Sequence, residues 1–401
     1  FMAYFNSTSA APGILAEFIM AALNQNGMNW KSSPAAAELE RVTMNWFRKT
    51  LNLPNDFWGI IYDTASVSSM HALASAREKY LQKFNFREEG FAGNKNIPPL
   101  RIYMSEQAHS SIEKGALTLG FGLKGIKKIP VDENFSMISS ELKQAILEDK
   151  KNGLLPVLAV ATIGTTSTTS VDPVKEISEI CKEENVWLHV DAAHAGVTAM
   201  LSENKNYFEG WQGADSIVVN PHKWLFIPID ISVFYTKHPQ ILKNAFSLVP
   251  EYLKTDADDE AENLMDYGIQ LGRRFRSLKL WFTLKYFGVE GLREILREHI
   301  RLGNLFKSWI DESPHFERLA PVPFSTVCFR ALPGEEESAE KLNEFNEQLM
   351  KNINATGKLF LSHTKLNGNF AIRLVVSGIH QEERHVKEAW TIIQDEYGRL
   401  L

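Results

Sequence analysis

Short apolar runs alternate with amphipathic stretches from Trp58 to Lys237. Seven runs have the length and the β-branched or aromatic content of strands: Gly59–Tyr62, Arg101–Met104, Ile126–Pro130, Val157–Thr162, Trp187–Val190, Ser216–Val219 and Ser232–Tyr235. Helical patterns such as Leu142–Lys151 and Val174–Glu184 separate most of them. Strands alternating with helical crossovers predict an α/β fold, a mainly parallel seven-stranded sheet covered on both faces. Ligands of such sheets sit at the C-terminal ends of the strands. A long helical pattern follows from about Arg276 through Leu305, interrupted at Phe287–Gly291. Beyond Pro314 the pattern changes, with strands expected near Thr326–Arg330 and Phe370–Val376 and helices at Ser338–Asn352 and Glu382–Glu396. The expected division is therefore a large domain over 1–305 and a small α+β domain over 306–401. The polar, acidic stretch Lys254–Asn263 has no periodicity and reads as a surface loop.

Composition narrows the function classes. With 401 residues and 44% hydrophobic content the chain can bury a large core. A net charge of −6 gives no basic field for a nucleic-acid backbone, so no nucleic-acid partner is expected. The longest apolar run, Leu154 to Gly164, is far short of the roughly 20 residues that a membrane span needs, and no membrane partner is expected. Two cysteines are too few for a disulfide framework, which points to a reducing, cytoplasmic setting. No signal peptide is visible, and the chain begins at Phe1 rather than Met, which suggests a truncated or processed start.

Four segments at strand ends carry candidate chemistry. Asp191, in His189-Val190-Asp191-Ala192-Ala193-His194, ends a buried strand and needs a partner that keeps it ionised: a protonated pyridine nitrogen or a metal. Lys223, in Asn220-Pro221-His222-Lys223-Trp224, sits where apolar surroundings can lower its pKa and make it a carbonyl-trapping amine. Thr64-Ala65-Ser66-Val67-Ser68-Ser69 opens a helix, and its amides and hydroxyls suit a phosphate. Glu106-Gln107-Ala108-His109-Ser110-Ser111 offers an imidazole able to stack on a flat ring. Taken singly, each has a blander reading: a turn carboxylate, a structural histidine, a helix cap. Together on one sheet they supply the protein parts that pyridoxal phosphate (PLP) chemistry requires.

At these residues the chain resembles the group II PLP-dependent decarboxylases of fold type I, nearest the aromatic-L-amino-acid decarboxylase branch. The marks are NPHKW at 220–224, HVDAAHAG at 189–196, EQAHSS at 106–111, GTTS at 164–167 and LGRRFRSLKLWF at 271–282. The family's N-terminal helical segment is absent. The resemblance implies the aspartate-aminotransferase-like fold, PLP as cofactor and a homodimer with shared active sites. It implies Lys223 as the Schiff-base lysine and Asp191 as the partner of the pyridine nitrogen. His109 and Ala193 would lie against the two ring faces. Ala65, Ser66, Asn220 and His222 would bind the phosphate, and Thr166 would contact cofactor and substrate. Tyr252 matches the loop tyrosine that donates a proton in the partner's site. The pocket positions map onto Tyr4, Phe5, Asn6, Ser7, Asn26, Met28, Ile229, Leu271 and Gly272.

The implied reaction is decarboxylation of an aromatic L-amino acid such as tryptophan, tyrosine, phenylalanine or DOPA to its arylalkylamine. Asn6, Asn26, Met28 and Ile229 depart from residues common in the animal enzymes, and His194 stands where the family usually has tyrosine, which leaves the ring preference open. Gly272 leaves room for a large ring. Rival readings remain. Histidine or another amino acid could be the substrate. An aldehyde synthase typically alters the loop tyrosine or the stacking histidine, and Tyr252 and His109 are both present. An aminotransferase would grip the substrate carboxylate with a small-domain arginine; Arg373 is the candidate, with a structural ion pair as its plainer role. A cofactor-free homologue would lack Lys223 or Asp191. Metal binding by His189, Asp191 and His194 is the weakest reading, and no metal is expected.

Overall fold

The computed structural model describes residues 1–5, 8–248, 262–334 and 338–401. Seven strands form the main sheet: β1 (Trp58–Tyr62), β2 (Leu100–Ser105), β3 (Ile126–Ile129), β4 (Leu155–Thr162), β5 (Trp187–Asp191), β6 (Ser216–Val219) and β7 (Ser232–Thr236). Their order is β1-β7-β6-β5-β4-β2-β3. All pairings between β6 and β3 are parallel, and β7 alone runs antiparallel to its neighbours β1 and β6. Six strands therefore point the same way, and the C-terminal ends of β1, β2, β4, β5 and β6 share one edge. Burial explains the apolar runs: seven of the eight residues of β4 are buried, as a strand covered on both faces requires.

Helices cover the sheet with the spacing that the sequence pattern predicts. Val174–Glu183 turns Val174, Ile177, Ile180 and Cys181 inward. The long helical pattern is one helix, Ser277–Glu312, kinked at Gly288, whose backbone (φ 65°, ψ 172°) is open to glycine and strained for other residues. This helix joins two cores. Leu280, Leu284, Leu292 and Leu296 pack with the main sheet, whereas Leu302, Phe306 and Ile310 pack with a second sheet. The second sheet comprises β8 (Phe316–Arg318), β9 (Thr326–Ala331), β10 (Ser362–Leu366) and β11 (Asn369–Val375) in the order β10-β11-β9-β8, all antiparallel. Helices Ala339–Ala355 and Glu383–Leu400 complete that layer.

Among the described elements, several were not read from sequence, four of them near the site or in the second sheet. β8 has three residues, and β10 (SHTKL) is an edge strand of mostly polar residues. Helix Ala11–Leu23 is apolar almost all round, so no polar face marks its period; Ile14, Leu15, Phe18 and Leu23 stand exposed. Helix Pro34–Thr50 begins with proline at its first turn and buries Glu40, whose carboxylate binds Arg273 at 2.7 Å and accepts the Ile61 N–H at 2.9 Å.

Candidate active site

A cleft of about 370 Å³ opens at the C-terminal edge of the main sheet, lined by Phe5, Ala65, His109, Thr162, Gly164, Thr166, Asp191, Ala193, His194 and Lys223. A larger cleft between Trp30, Glu38 and Trp58 lies near the opposite end of β1 and contains no lysine. Of these two, the first joins an amine, a carboxylate and a helix N-terminus.

Every lining residue except Phe5 ends a strand or follows one. β6 runs into a one-turn helix, Pro221–Trp224, which lifts Lys223 into the cleft. Lys223 Nζ makes no hydrogen bond among the described residues; the Phe5 ring lies 5.3 Å from it. Burial lowers the pKa of this amine, and the charge of Asp191 opposes that shift. Asp191, the last residue of β5, accepts the Ala193 N–H on Oδ1 at 3.0 Å. Its second oxygen accepts no hydrogen bond among the described residues. The 17-residue helix Ala65–Leu81 begins at the cleft, and its backbone hydrogen bonds start only with the N–H groups of Val67 and Ser68, so the amides of Ala65 and Ser66 are open. His109 sits at the mouth with Nδ1 accepting the Ser111 N–H at 3.1 Å. Its pKa is lowered, chiefly by desolvation.

The loop after β4 is built by its own hydroxyls. Thr165 Oγ1 and Thr168 Oγ1 are 3.0 Å apart, Thr168 Oγ1 and Ser170 Oγ are 2.7 Å apart, and the Ser170 N–H returns to Thr165 Oγ1 at 3.1 Å. This closes the loop and leaves Thr166 on the cleft wall. Gly164 starts the loop at φ +88°, where a Cβ would stand 2.7 Å from the Cβ of Ala195. Behind the lysine, the Ile231 N–H donates to His222 Nδ1 at 3.0 Å and the Asn220 amide lies 3.4 Å from His222 Nε2. One end of that buried amide has no partner.

Of the residues expected from sequence, Ala65, His109, Thr166, Asp191, Ala193 and Lys223 line one cleft with Phe5. Ser66, Asn220 and His222 stand beside it without lining it. Tyr252, Asn6 and Ser7 lie outside the described residues. The remaining pocket positions do not join the Lys223 cleft within one chain. Tyr4, Ile229 and Leu271 are exposed. Asn26 pairs with the backbone of Arg273 and with Met28, beside Gly272.

Arg373 corrects an expectation. It makes no structural ion pair among the described residues; its nitrogens donate to neutral oxygens. Nε binds Ser167 O and Nη2 binds Thr166 O, both at 2.8 Å, while Nη1 binds Ser362 Oγ at 3.0 Å and Ala3 O at 3.3 Å. A guanidinium spent on holding the 164–170 loop is not presented to a substrate carboxylate. Nothing in the sequence pattern announces this role, because its partners are backbone carbonyls. His189 and His194 likewise diverge from Asp191: the Nδ1 of His189 pairs with Ser216 Oγ at 2.9 Å, and His194 lies between two aromatic rings.

Residues 1–332 match the family profile described as the pyridoxal-dependent decarboxylase conserved domain. The chain belongs to the pyridoxal-dependent decarboxylase family. This decarboxylase is 38% identical to tyrosine decarboxylase 2 of Narcissus pseudonarcissus, over all of the chain and 80% of that protein. It is also 38% identical to phenylacetaldehyde synthase of Arabidopsis thaliana, over all of the chain and 82% of that protein. The crystal structure of Oryza sativa TDC with PLP and tryptamine superposes with a TM-score of 0.95 at 33% identity, covering the whole chain and 84% of the rice protein. The decarboxylase is thus a PLP-dependent enzyme of fold type I acting on an amino acid. Its cleft fits the cofactor: an unpartnered amine, an unpaired carboxylate oxygen, a helix N-terminus with open amides and a half-satisfied buried amide are the groups a pyridoxal phosphate would meet.

Proposed function

We propose that this decarboxylase converts an aromatic L-amino acid, of the tryptophan, tyrosine, phenylalanine or DOPA type, into the corresponding arylalkylamine and CO₂. The observation that carries the reading is the Phe5 ring on the cleft wall, 5.3 Å from Lys223 Nζ. The side chain of an amino acid bound beside that amine would lie against an aromatic face. Similarity to a plant tyrosine decarboxylase supports the same substrate class.

Roles follow from position and charge. When bound, PLP supplies the ring that accepts the electrons of the breaking Cα–carboxylate bond. Lys223 holds the cofactor, and its lowered pKa keeps a larger fraction of the amine uncharged and able to attack a carbonyl. Asp191, buried and with one oxygen uncommitted, keeps the pyridine nitrogen protonated, so the ring stays a strong acceptor. Ala65 and Ser66 offer helix-start amides to the phosphate, joined by Asn220 and His222. Ala193 is small enough for a flat ring to lie on, and His109 covers the other face from the mouth. Thr166, whose carbonyl is held by Arg373, would help to orient the substrate carboxylate.

The apolar surface of helix Ala11–Leu23, with Phe18 74% exposed, together with exposed Ile229 and Leu271, supports a two-fold homodimer. In such an assembly the Asn26–Met28–Gly272 group would complete the site of the neighbouring subunit. Both thiols, Cys181 and Cys328, are unpaired and buried, in keeping with the cytoplasm. Among the described residues no helix is long and apolar enough to cross a membrane. We also place the domain division at 305/306, inside the helix that joins the two cores.

The test is a panel of L-tryptophan, L-tyrosine, L-phenylalanine, L-DOPA, L-histidine and L-glutamate, with CO₂, amine, aldehyde and peroxide all quantified. The expected result is one amine per CO₂ from at least one aromatic substrate, with histidine and glutamate turned over at least roughly 100-fold less efficiently. Preference for histidine or glutamate would overturn the substrate class; aldehyde with stoichiometric peroxide would make the enzyme an aldehyde synthase.

A further inference from the structure

His194 is held by its faces alone. Its side chain is 1% exposed and lines the Lys223 cleft, yet neither ring nitrogen has a hydrogen-bond partner among the described residues. Phe5 stacks on one face, 3.6 Å between centroids and 9° between planes. Trp224 stacks on the other at 4.7 Å and 2°. Trp224 is itself anchored, because its Nε1–H donates to Nδ1 of buried His299 at 3.0 Å and the two rings are within 9° of parallel. Four near-parallel rings thus run from helix Ser277–Glu312 to the cleft, and Phe5 is the member that faces Lys223.

We infer that His194 is a specificity-determining positioning residue: stacked between Trp224 and Phe5, it sets the plane in which Phe5 walls the substrate side chain. This rests on the aromatic-substrate reading proposed above. Phe5 lies outside any helix or strand, three residues beyond a backbone tie at Met2, so regular structure does not dictate its ring plane. Two cations stand near the ring, Lys223 Nζ at 5.3 Å and the Arg373 guanidinium at 5.7 Å from its centroid. Burial first, and then those same cations, hold the pKa of His194 well below that of an ordinary histidine, so the ring stays neutral. A neutral imidazole stacks flat on Phe5 without adding a third charge beside Lys223. Because aromatic contacts depend on offset and tilt, the Phe5 plane decides how well an indole, a phenol or a phenyl ring packs against it.

Two variants separate stacking from hydrogen bonding. His194→Phe keeps a ring face and removes both nitrogens; His194→Leu removes the face. Each is compared with the parent by kcat/KM for L-tryptophan, L-tyrosine and L-phenylalanine, and by Kd for tryptamine, tyramine and phenethylamine read from protein fluorescence. The Phe variant is expected to keep the parent's ranking, and the Leu variant to flatten or reorder it by about tenfold, through KM and Kd more than kcat. The absorbance of the bound cofactor should be the same in all three. Three results would overturn the inference: a Phe variant that shifts the ranking as much as Leu, a Leu variant that keeps it, or a changed cofactor spectrum. If the Leu variant does not fold, His194→Gln, polar and without a ring face, takes its place with the same expectation. Should the parent turn over none of the three amino acids, the aromatic-substrate reading fails, and the amine Kd values alone decide the stacking.

Discussion

Lys223→Ala is expected to lower kcat/KM by about 10³-fold or more, since no other described amine lines the cleft to act in its place. The physical reason lies in the surroundings of Lys223. An ammonium without a hydrogen-bond partner in a desolvated cleft is poorly stabilised, so burial favours its neutral, nucleophilic form. The same property predicts what happens to stability. Removing a poorly solvated amine leaves no broken hydrogen bond, so the cofactor-free variant should unfold in urea at a midpoint no lower than that of the cofactor-free parent. Loss of activity together with a lowered midpoint would point to a structural lysine instead. Activity, spectrum and urea midpoint measured on the same preparation distinguish the two.

The second large effect is expected at Asp191. Asp191→Ala removes the carboxylate whose uncommitted oxygen would face the pyridine nitrogen, and Asp191→Asn keeps the shape while removing the charge. Both should retain substantial cofactor, because Lys223 and the helix-start amides remain. Both should lose roughly 10²–10³ in kcat, the scale of a missing electrostatic partner in a desolvated site. The Asn variant separates charge from packing: if it keeps near-parental turnover, the ring nitrogen does not depend on this carboxylate. Ala193 has a further stake in the Ala variant, since Asp191 Oδ1 holds its N–H. A greater loss in Ala than in Asn would measure that orienting contribution.

Much of this architecture was legible in the chain. The seven runs of the main sheet coincide with the observed strands to within two residues at either end, because strands covered on both faces are mostly apolar and end where loops begin; edge strand β3 (IKKI), with two exposed lysines, is the exception. The interruption at Phe287–Gly291 marks the kink at Gly288 for the same kind of reason: a positive φ calls for glycine. Six of the expected cofactor residues converge because each sits at or just past a strand end on one edge of the sheet. What escaped the sequence has physical causes too. Helix Ala11–Leu23 lacks a polar face. β10 alternates polar residues at an edge. Arg373 acts through backbone carbonyls, which no residue pattern records. The column through His194 depends on the stacking of Phe5 and Trp224 and on the hydrogen bond from Trp224 to His299, residues far apart in the chain, and its histidine was visible only as a departure from the family's tyrosine.

The reaction depends first on where the cofactor is held. The holoenzyme is reduced with tritiated borohydride, digested, and the labelled pyridoxyl peptide sequenced. The expected result is one label per chain on Lys223, within Asn220–Trp224; a label on any other lysine, or none, would contradict the assignment on which the rest is built.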